Sequence, residues 1–260
     1  MGKVYLIGAG PGAVDLITVR GADLLRRADV VFHDALVQLG MLALAAQAKQ
    51  VAVGKRCSSV STDQRFINRN LVEAAAKYAI VVRLKGGDPM LFGRAQEEIE
   101  ALESAGVEYE IVPGVTSALA ASAELGVSLS ARGVSRSVVF ATPRVGEGED
   151  VSDWAPAAVK ADTAVLYMAL GQAAGIAAIL QAQGMPGSTP VVMVENASLP
   201  AARHAACTLR ELGDAARTLN GPALLLFGKV FGRRAQVLME QQQWAGQTLP
   251  GAMPLRATPR

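Results

Sequence analysis

An α/β fold in two domains, the first on a mostly parallel, doubly wound sheet, is predicted by three observations. Short apolar runs alternate with helix-spaced segments from residue 3 to residue 124, the pattern of successive strand–helix–strand units. Several of those runs end in glycine-rich turns, as ligand-binding strand ends do in open sheets. The second half restarts with short strands bounded by turns, some without a helix between them, which predicts a smaller α/β domain with a mixed sheet. Composition agrees: with 51 % hydrophobic and 18 % charged residues the chain buries a core and is not disordered. Its surplus of Ala, Val, Leu and Gly suits strands covered on both faces.

In chain order, Lys3 to Ile7 is a short apolar strand entering Gly8-Ala9-Gly10-Pro11-Gly12. Asp15 to Ala28 follows with Leu16, Val19, Ala22, Leu24 and Leu25 at helical spacing. Strand, glycine turn and helix in that order offer backbone N–H groups to a ligand. The turn is not a dinucleotide fingerprint, because Ala13 stands where the last glycine belongs and Pro11 removes a donor. Val30 to Phe32 is the next strand and delivers His33 and Asp34 at its carboxyl end; Leu36 to Ala48 reads as a helix, and Val51 to Val53 as a strand ending in Gly54, Lys55 and Arg56. The carboxyl ends of neighbouring strands share a crevice, so Asp34 and Lys55 are expected to face one cleft. Taken alone, Asp34 reads equally well as a helix N-cap and Lys55-Arg56 as a solvated turn. Asp63 to Ala79 is an amphipathic helix capped by Thr62 or Asp63.

The stretch 83–94, Arg-Leu-Lys-Gly-Gly-Asp-Pro-Met-Leu-Phe-Gly-Arg, carries the densest signal. The β-formers Ile80, Val81 and Val82 feed a turn of Lys85, Gly86, Gly87, Asp88 and Pro89, and Ala95 to Ser104 is helical. Adjacent glycines permit positive φ and a close ligand, Asp88 accepts hydrogen bonds in the turn, and Pro89 fixes its exit. Val107 to Val112 is a strand, then Pro113-Gly114-Val115-Thr116-Ser117 leads to the small-residue helix Ala118 to Glu124. Pro113-Gly114 is the expected hinge, dividing residues 1–113 from 114–244, with residues 245–260 an unpacked tail. In the second half, strands are expected over Ser137 to Ala141, Thr163 to Met168, Pro190 to Val194 and Ala223 to Phe227; helices over Gln172 to Gln183, Leu209 to Leu219 and Gly232 to Gln241; and a polar loop over Val145 to Asp153.

Several functions are excluded. A net charge of +2 and 5 % aromatic residues do not suit nucleic-acid binding. His33 and His204 are the two histidines, and Cys57 and Cys207 stand far apart. No metal site is therefore expected, and reduced thiols are. No signal peptide is read at the amino terminus, and no apolar run reaches the ~18 residues of a membrane span. These point to a cytoplasmic protein.

The central stretch resembles the Arg-Leu-Lys-Gly-Gly-Asp-Pro-Phe-x-Phe-Gly-Arg signature of the tetrapyrrole methylases, and within them the members that methylate uroporphyrinogen III. Other motifs of that family follow in register: the Gly-Ala-Gly-Pro-Gly turn, His33 to Val37, Val53 to Arg56, Val112 to Ser117, Leu166 to Met168, Val194 to Ser198, and the Pro-Ala-x-x-x-x-Gly pattern at 222–228. The resemblance implies S-adenosylmethionine as methyl donor, leaving S-adenosylhomocysteine, and no metal. It implies Asp34 as proton acceptor and Lys55 as proton donor. It implies cofactor contacts at Pro11, Gly86, Gly87, Asp88, Leu91, Thr116, Ser117, Met168 and Ala197, with Ala223 and Leu224 nearby. Without it, Met168 reads as core. The substrate would carry eight carboxylates, for which Arg56, Arg94, Arg132 and Arg144 are the expected partners. Methylation at C2 and C7 to precorrin-2, for sirohaem or cobalamin, by a homodimer is the implied activity; a later precorrin methyltransferase is the alternative. Three places depart from the family: Ala95-Gln96 where it has Gly-Gly, Ala131 where it has His, and Pro143-Arg144 where it has Gly-His. A nicotinamide dehydrogenase would require the missing glycine, and a nucleotide-sensing regulatory domain would bind the cofactor without forming product.

Overall fold

The computed structural model describes residues 1–54, 64–145 and 152–246. The chain divides into two compact units, one of Met1–Gly126 with Glu195–Arg203, the other of Val127–Val194 with the residues from His204 onward.

The first unit holds β1 (Lys3–Gly8), α1 (Val19–Arg27), β2 (Val30–His33), α2 (Leu39–Leu42), β3 (Lys49–Ala52), α3 (Gln64–Ala75), β4 (Ile80–Lys85), α4 (Ala95–Ser104), β5 (Tyr109–Val112) and α5 (Ser117–Leu125). Its sheet runs β3-β2-β4-β1-β5 with every pair parallel. Both faces of β4 are covered. Val81 packs with Ile67 and Leu71 of α3 and with Ile99 and Leu102 of α4. Val82 and Leu84 pack with Leu24, Leu25 and Met41 on the opposite face. Burial on both faces is why these strands read as unbroken apolar runs. It also fixes where Arg83 and Lys85 go, since alternate strand residues share a face: both follow Val81 toward α3 and α4.

Several elements of this unit differ from expectation. α3 ends at Ala75 rather than Ala79, and its expected cap at Thr62 or Asp63 lies outside the described residues. α1 starts at Val19, where the Thr18 hydroxyl accepts the Gly21 N–H at 3.1 Å and caps it. The helix expected over 36–48 is one turn of α-helix continued as a 3₁₀ turn through Ala45. Gln50 ends it, its amide donating to the carbonyls of Leu42 and Ala45 at 3.0 and 3.2 Å. β4 runs on to Lys85 because it is paired on both sides, with β1 and β2.

The second unit holds β6 (Val138–Ala141), α6 (Trp154–Lys160), β7 (Thr163–Leu166), α7 (Ala173–Ala182), β8 (Pro190–Glu195), β9 (Arg203–Thr208), α8 (Leu212–Ala215), β10 (Ala223–Gly228) and α9 (Gly232–Gly246). Its sheet order is β6-β7-β10-β8-β9, with β6 parallel and β10 antiparallel to β7, so it is mixed. Trp154, Leu166, Ile176, Leu180, Met193, Leu212 and Phe227 form the core. Cys207 lies in it on β9, where burial pushes its thiol up to about 12 and makes it inert. α6 and β9 were not expected. Residues 146–151 of the expected polar loop lie outside the described residues; α9 reaches Gly246, and the tail beyond it also lies outside them.

Pro113-Gly114 is not a hinge. A Cβ on Gly114 would meet the Gly87 carbonyl oxygen at 2.3 Å and Gly8 Cα at 2.8 Å, and its N–H donates to Asp88 at 2.9 Å. The loop is clamped inside the first unit, and the division falls after α5. Glu195–Arg203 returns to that unit, where the Ser198 hydroxyl accepts the Ala13 N–H and its own N–H donates to Glu124, both at 3.0 Å.

Candidate functional site

At the carboxyl end of the parallel sheet, three loops meet through their backbones. Gly10 and Gly87 exchange both hydrogen bonds, at 3.2 and 2.7 Å, and the Ala9 N–H donates to the Lys85 carbonyl at 2.7 Å. Gly10 and Gly87 sit at φ +77° and +68°, a conformation available to glycine at little penalty. Gly8 is there for space: a Cβ on it would lie 2.6 Å from Gly114 Cα and 2.7 Å from the Gly87 oxygen. Asp88 ties the loops together, with Oδ1 accepting the Met90 N–H at 2.8 Å and Oδ2 that of Gly114 at 2.9 Å. Its role in this structure is thus to hold the turn.

Gly86 and Gly87 differ from the packed pair. A Cβ on Gly86 would meet nothing nearer than Leu36 Cβ at 3.8 Å, and one on Gly87 nothing nearer than Thr116 Cα at 4.0 Å. Neither position is crowded, as in a loop that a ligand approaches. Thr116 and Ser117 begin α5 there. Phe92 and Arg94 take φ +52° and +54°, as do Asn196 and Ser198 on either side of buried Ala197, at +53° and +69°. Non-glycine residues in this region gather where function holds them.

Asp34 stands at the end of β2 on the wall of a cavity of about 450 Å³ shared with His33, Val37, Gln38 and Gly54. The Arg83 Nη2 donates to its Oδ1 at 2.5 Å. Arg83 is 2 % and Lys85 3 % exposed, and both pair with Glu98 of α4, which is wholly buried. Burial works to lower the Arg83 pKa, but the charges of Asp34 and Glu98 outweigh it and hold it above its ordinary value. Burial, and then the charge of Arg83, push Lys85 below its ordinary 10.5. Glu98 was not among the residues expected at the site. Its signal was present, since Ala95, Glu98, Ile99 and Leu102 recur at i, i+3, i+4 and i+7, the spacing of a buried stripe. A Cβ on Gly54 would lie 2.5 Å from the Ala35 nitrogen and 3.0 Å from Asp34 Cα, so the chain passes against Asp34 just before Lys55. Lys55 and Arg56 themselves lie outside the described residues.

The first unit therefore holds Pro11, Asp34, Gly86, Gly87, Asp88, Leu91, Thr116, Ser117 and Ala197. Arg94 belongs to it too, but its Nε and Nη2 donate to Glu97 at 2.6 and 2.7 Å. In the second unit Met168 follows β7 at φ +53° and is 45 % exposed, so it is not a core residue. Ala223 and Leu224 open β10, and Arg132 and Arg144 are exposed on loops.

The profile of the Tetrapyrrole (Corrin/Porphyrin) Methylases matches residues 3–213. A siroheme synthase of Escherichia coli K12 is 42 % identical over 234 residues, covering 90 % of this chain and 51 % of the relative. The chain thus spans about half the length of the curated relatives it matches. A uroporphyrin-III C-methyltransferase from Thermus thermophilus, complexed with S-adenosyl homocysteine, superposes with a TM-score of 0.79 at 39 % identity over 89 % of this chain and 100 % of that one. A cobalt precorrin-4 methyltransferase superposes with a TM-score of 0.76 at 31 % identity over 87 % of this chain and 94 % of that one. With its glycine-clamped loops in place and the family profile matched over most of its length, the chain belongs to the tetrapyrrole methylases.

Proposed function

We propose that the protein transfers methyl groups from S-adenosylmethionine to C2 and C7 of uroporphyrinogen III, giving precorrin-2 for sirohaem or cobalamin. The observation that carries this reading is the Asp34 carboxylate, held at 2.5 Å by Arg83 on a cavity wall in the same unit as the open Gly86-Gly87 turn. The cofactor fits the residues present: a Cβ at 86 or 87 would meet nothing nearer than 3.8 Å, and Met168 is displayed outside the core. S-adenosylmethionine, when bound, supplies an electrophilic methyl on a sulfonium.

The chain's own residues have three tasks. Gly86, Gly87 and the start of α5 let the donor lie against backbone, with Pro11, Asp88, Leu91, Thr116, Ser117 and Ala197 shaping that surface; Met168, Ala223 and Leu224 are assigned to the cofactor by the family resemblance. Holding donor and ring carbon in line supplies most of the rate, because the reaction requires alignment in a dry site. As the ring carbon bonds to the methyl, the sulfur–methyl bond breaks and S-adenosylhomocysteine leaves. The cation formed then loses a proton, which Asp34 accepts, while Lys55 is assigned as the proton donor of the pair by the family resemblance. Arg56, Arg132 and Arg144 bind substrate carboxylates; Arg94 joins them once released from Glu97. Assembly as a homodimer and residence in the cytoplasm belong to the same proposal, and sedimentation velocity tests the first.

The deciding experiment incubates the protein with S-adenosylmethionine and enzymatically generated uroporphyrinogen III and weighs the products. Two added methyl groups are expected, with a red, fluorescent trimethylated product on long incubation; an unmodified substrate overturns the reading. Similarity to a cobalt precorrin-4 methyltransferase supports a second reading, in which a later corrin precursor is methylated. Offering such a precursor in a parallel reaction separates the two.

A further inference from the structure

We infer that Glu98, buried on α4, is a positioning residue that acts on Asp34 through Arg83; the inference rests on Asp34 being the proton acceptor proposed above. Glu98 is 0 % exposed. Its Oε1 accepts from Arg83 Nε at 2.9 Å, Lys85 Nζ at 3.1 Å and Gln64 Nε2 at 3.2 Å, and its Oε2 accepts from Lys85 Nζ at 3.1 Å. A buried, paired carboxylate is a poor stabiliser compared with an apolar side chain of the same size. Stability alone therefore gives no reason for a buried acid with two basic partners rather than apolar residues at all three positions.

Geometry gives one. The Arg83 guanidinium is planar, and its donors point in fixed directions. Nε is fixed on Glu98, Nη1 on the Leu84 carbonyl at 3.2 Å, and Nη2 reaches Asp34 at 2.5 Å. With two edges fixed, the third has one direction left. Asp34 stands at the end of β2 with its side chain 32 % exposed; the buried Arg83 carries the restraint on it from α4. Charge balance points the same way. Arg83 and Lys85 face Glu98 and Asp34, and both bond to Glu98, which gives the two basic groups a buried partner besides Asp34.

The test is a double-mutant cycle between Glu98→Ala and Asp34→Ala, read as kcat, KM for the tetrapyrrole and affinity for S-adenosylhomocysteine. Glu98→Ala is expected to lower kcat about 10- to 100-fold, as loss of an outer supporting partner does, with KM and cofactor affinity little changed. Added to Asp34→Ala it is expected to cause no further loss, because groups acting as one unit are not additive. Full kcat in Glu98→Ala, or additive losses, overturns the inference. Should Glu98→Ala fail to fold, Glu98→Leu with Lys85→Met replaces the pair by apolar residues of similar volume, a change that buried pairs tolerate, and the same loss of kcat is expected. A crystal structure of either variant decides independently of activity: Arg83 leaving Asp34 supports the inference, and Arg83 staying overturns it. A wild type inert toward every tetrapyrrole removes the reading of Asp34, and that crystal structure still judges the geometry.

Discussion

Gly114 and Gly86 are both glycines in site loops, yet they are there for opposite reasons, and substitution separates them. At Gly114 a methyl would enter the Gly87 carbonyl at 2.3 Å; overpacking of this kind costs about 1–3 kcal/mol, so Gly114→Ala is expected to lower the melting temperature markedly. At Gly86 the nearest atom is 3.8 Å away. Gly86→Ala should therefore change stability by less than ~0.5 kcal/mol while weakening S-adenosylhomocysteine binding measured by calorimetry. Equal stability losses in the two variants would remove the distinction. The single-residue reading of the sequence succeeded where chemistry is local: Gly87 has its positive φ, and Asp88 accepts backbone N–H groups. It missed Glu98, because an acid among Gln96, Glu97 and Glu100 looks like a solvated helix face until the stripe is traced through Ile99 and Leu102.

The central strands β1, β2 and β4 of the first sheet were legible because burial on both faces leaves no alternation to misread. β9 was not: Arg203-His204-Ala205-Ala206-Cys207-Thr208 has almost no β-branched content, and it is a strand because its alanines and cysteine fit the core. Thr208, where it ends, also starts the next helical segment. The Thr208 N–H and hydroxyl both donate to the Glu211 carboxylate, at 2.9 and 2.6 Å, an N-terminal cap worth about 1 kcal/mol. The hydroxyl first, then the N–H, hold Glu211 below its ordinary 4.5. A carboxyl depressed in the fold stabilises above its unfolded value and loses that contribution as the pH falls through its folded value. Glu211→Ala is therefore expected to lower stability in denaturant melts at pH 7, with the deficit closing as the pH drops below 4.5. A deficit that persisted at low pH would assign it to packing.

The first unit is not continuous in the chain, and its boundary was misplaced in the sequence for a reason that pattern does not record. Pro-Gly resembles a hinge in any loop; whether it bends depends on what lies across from it, and here that is the backbone of Gly8 and Gly87. Because Glu195–Arg203 completes the unit, a fragment ending at Gly126 lacks the Ser198 bonds to Ala13 and Glu124. That fragment is expected to be more readily cleaved in limited proteolysis than the intact chain, whereas equal resistance would show the returning segment to be dispensable. Among the described residues no helix is long and apolar enough to cross a membrane.

Where main chain touches main chain, as at Gly8, Gly87 and Gly114, there is nothing to trim or enlarge in compensation. Attempts to redirect this scaffold to another acceptor should accordingly leave those three turns alone and vary what projects beyond them, Met90 and Phe92 first, since the exposed rims can change shape without the hub being rebuilt.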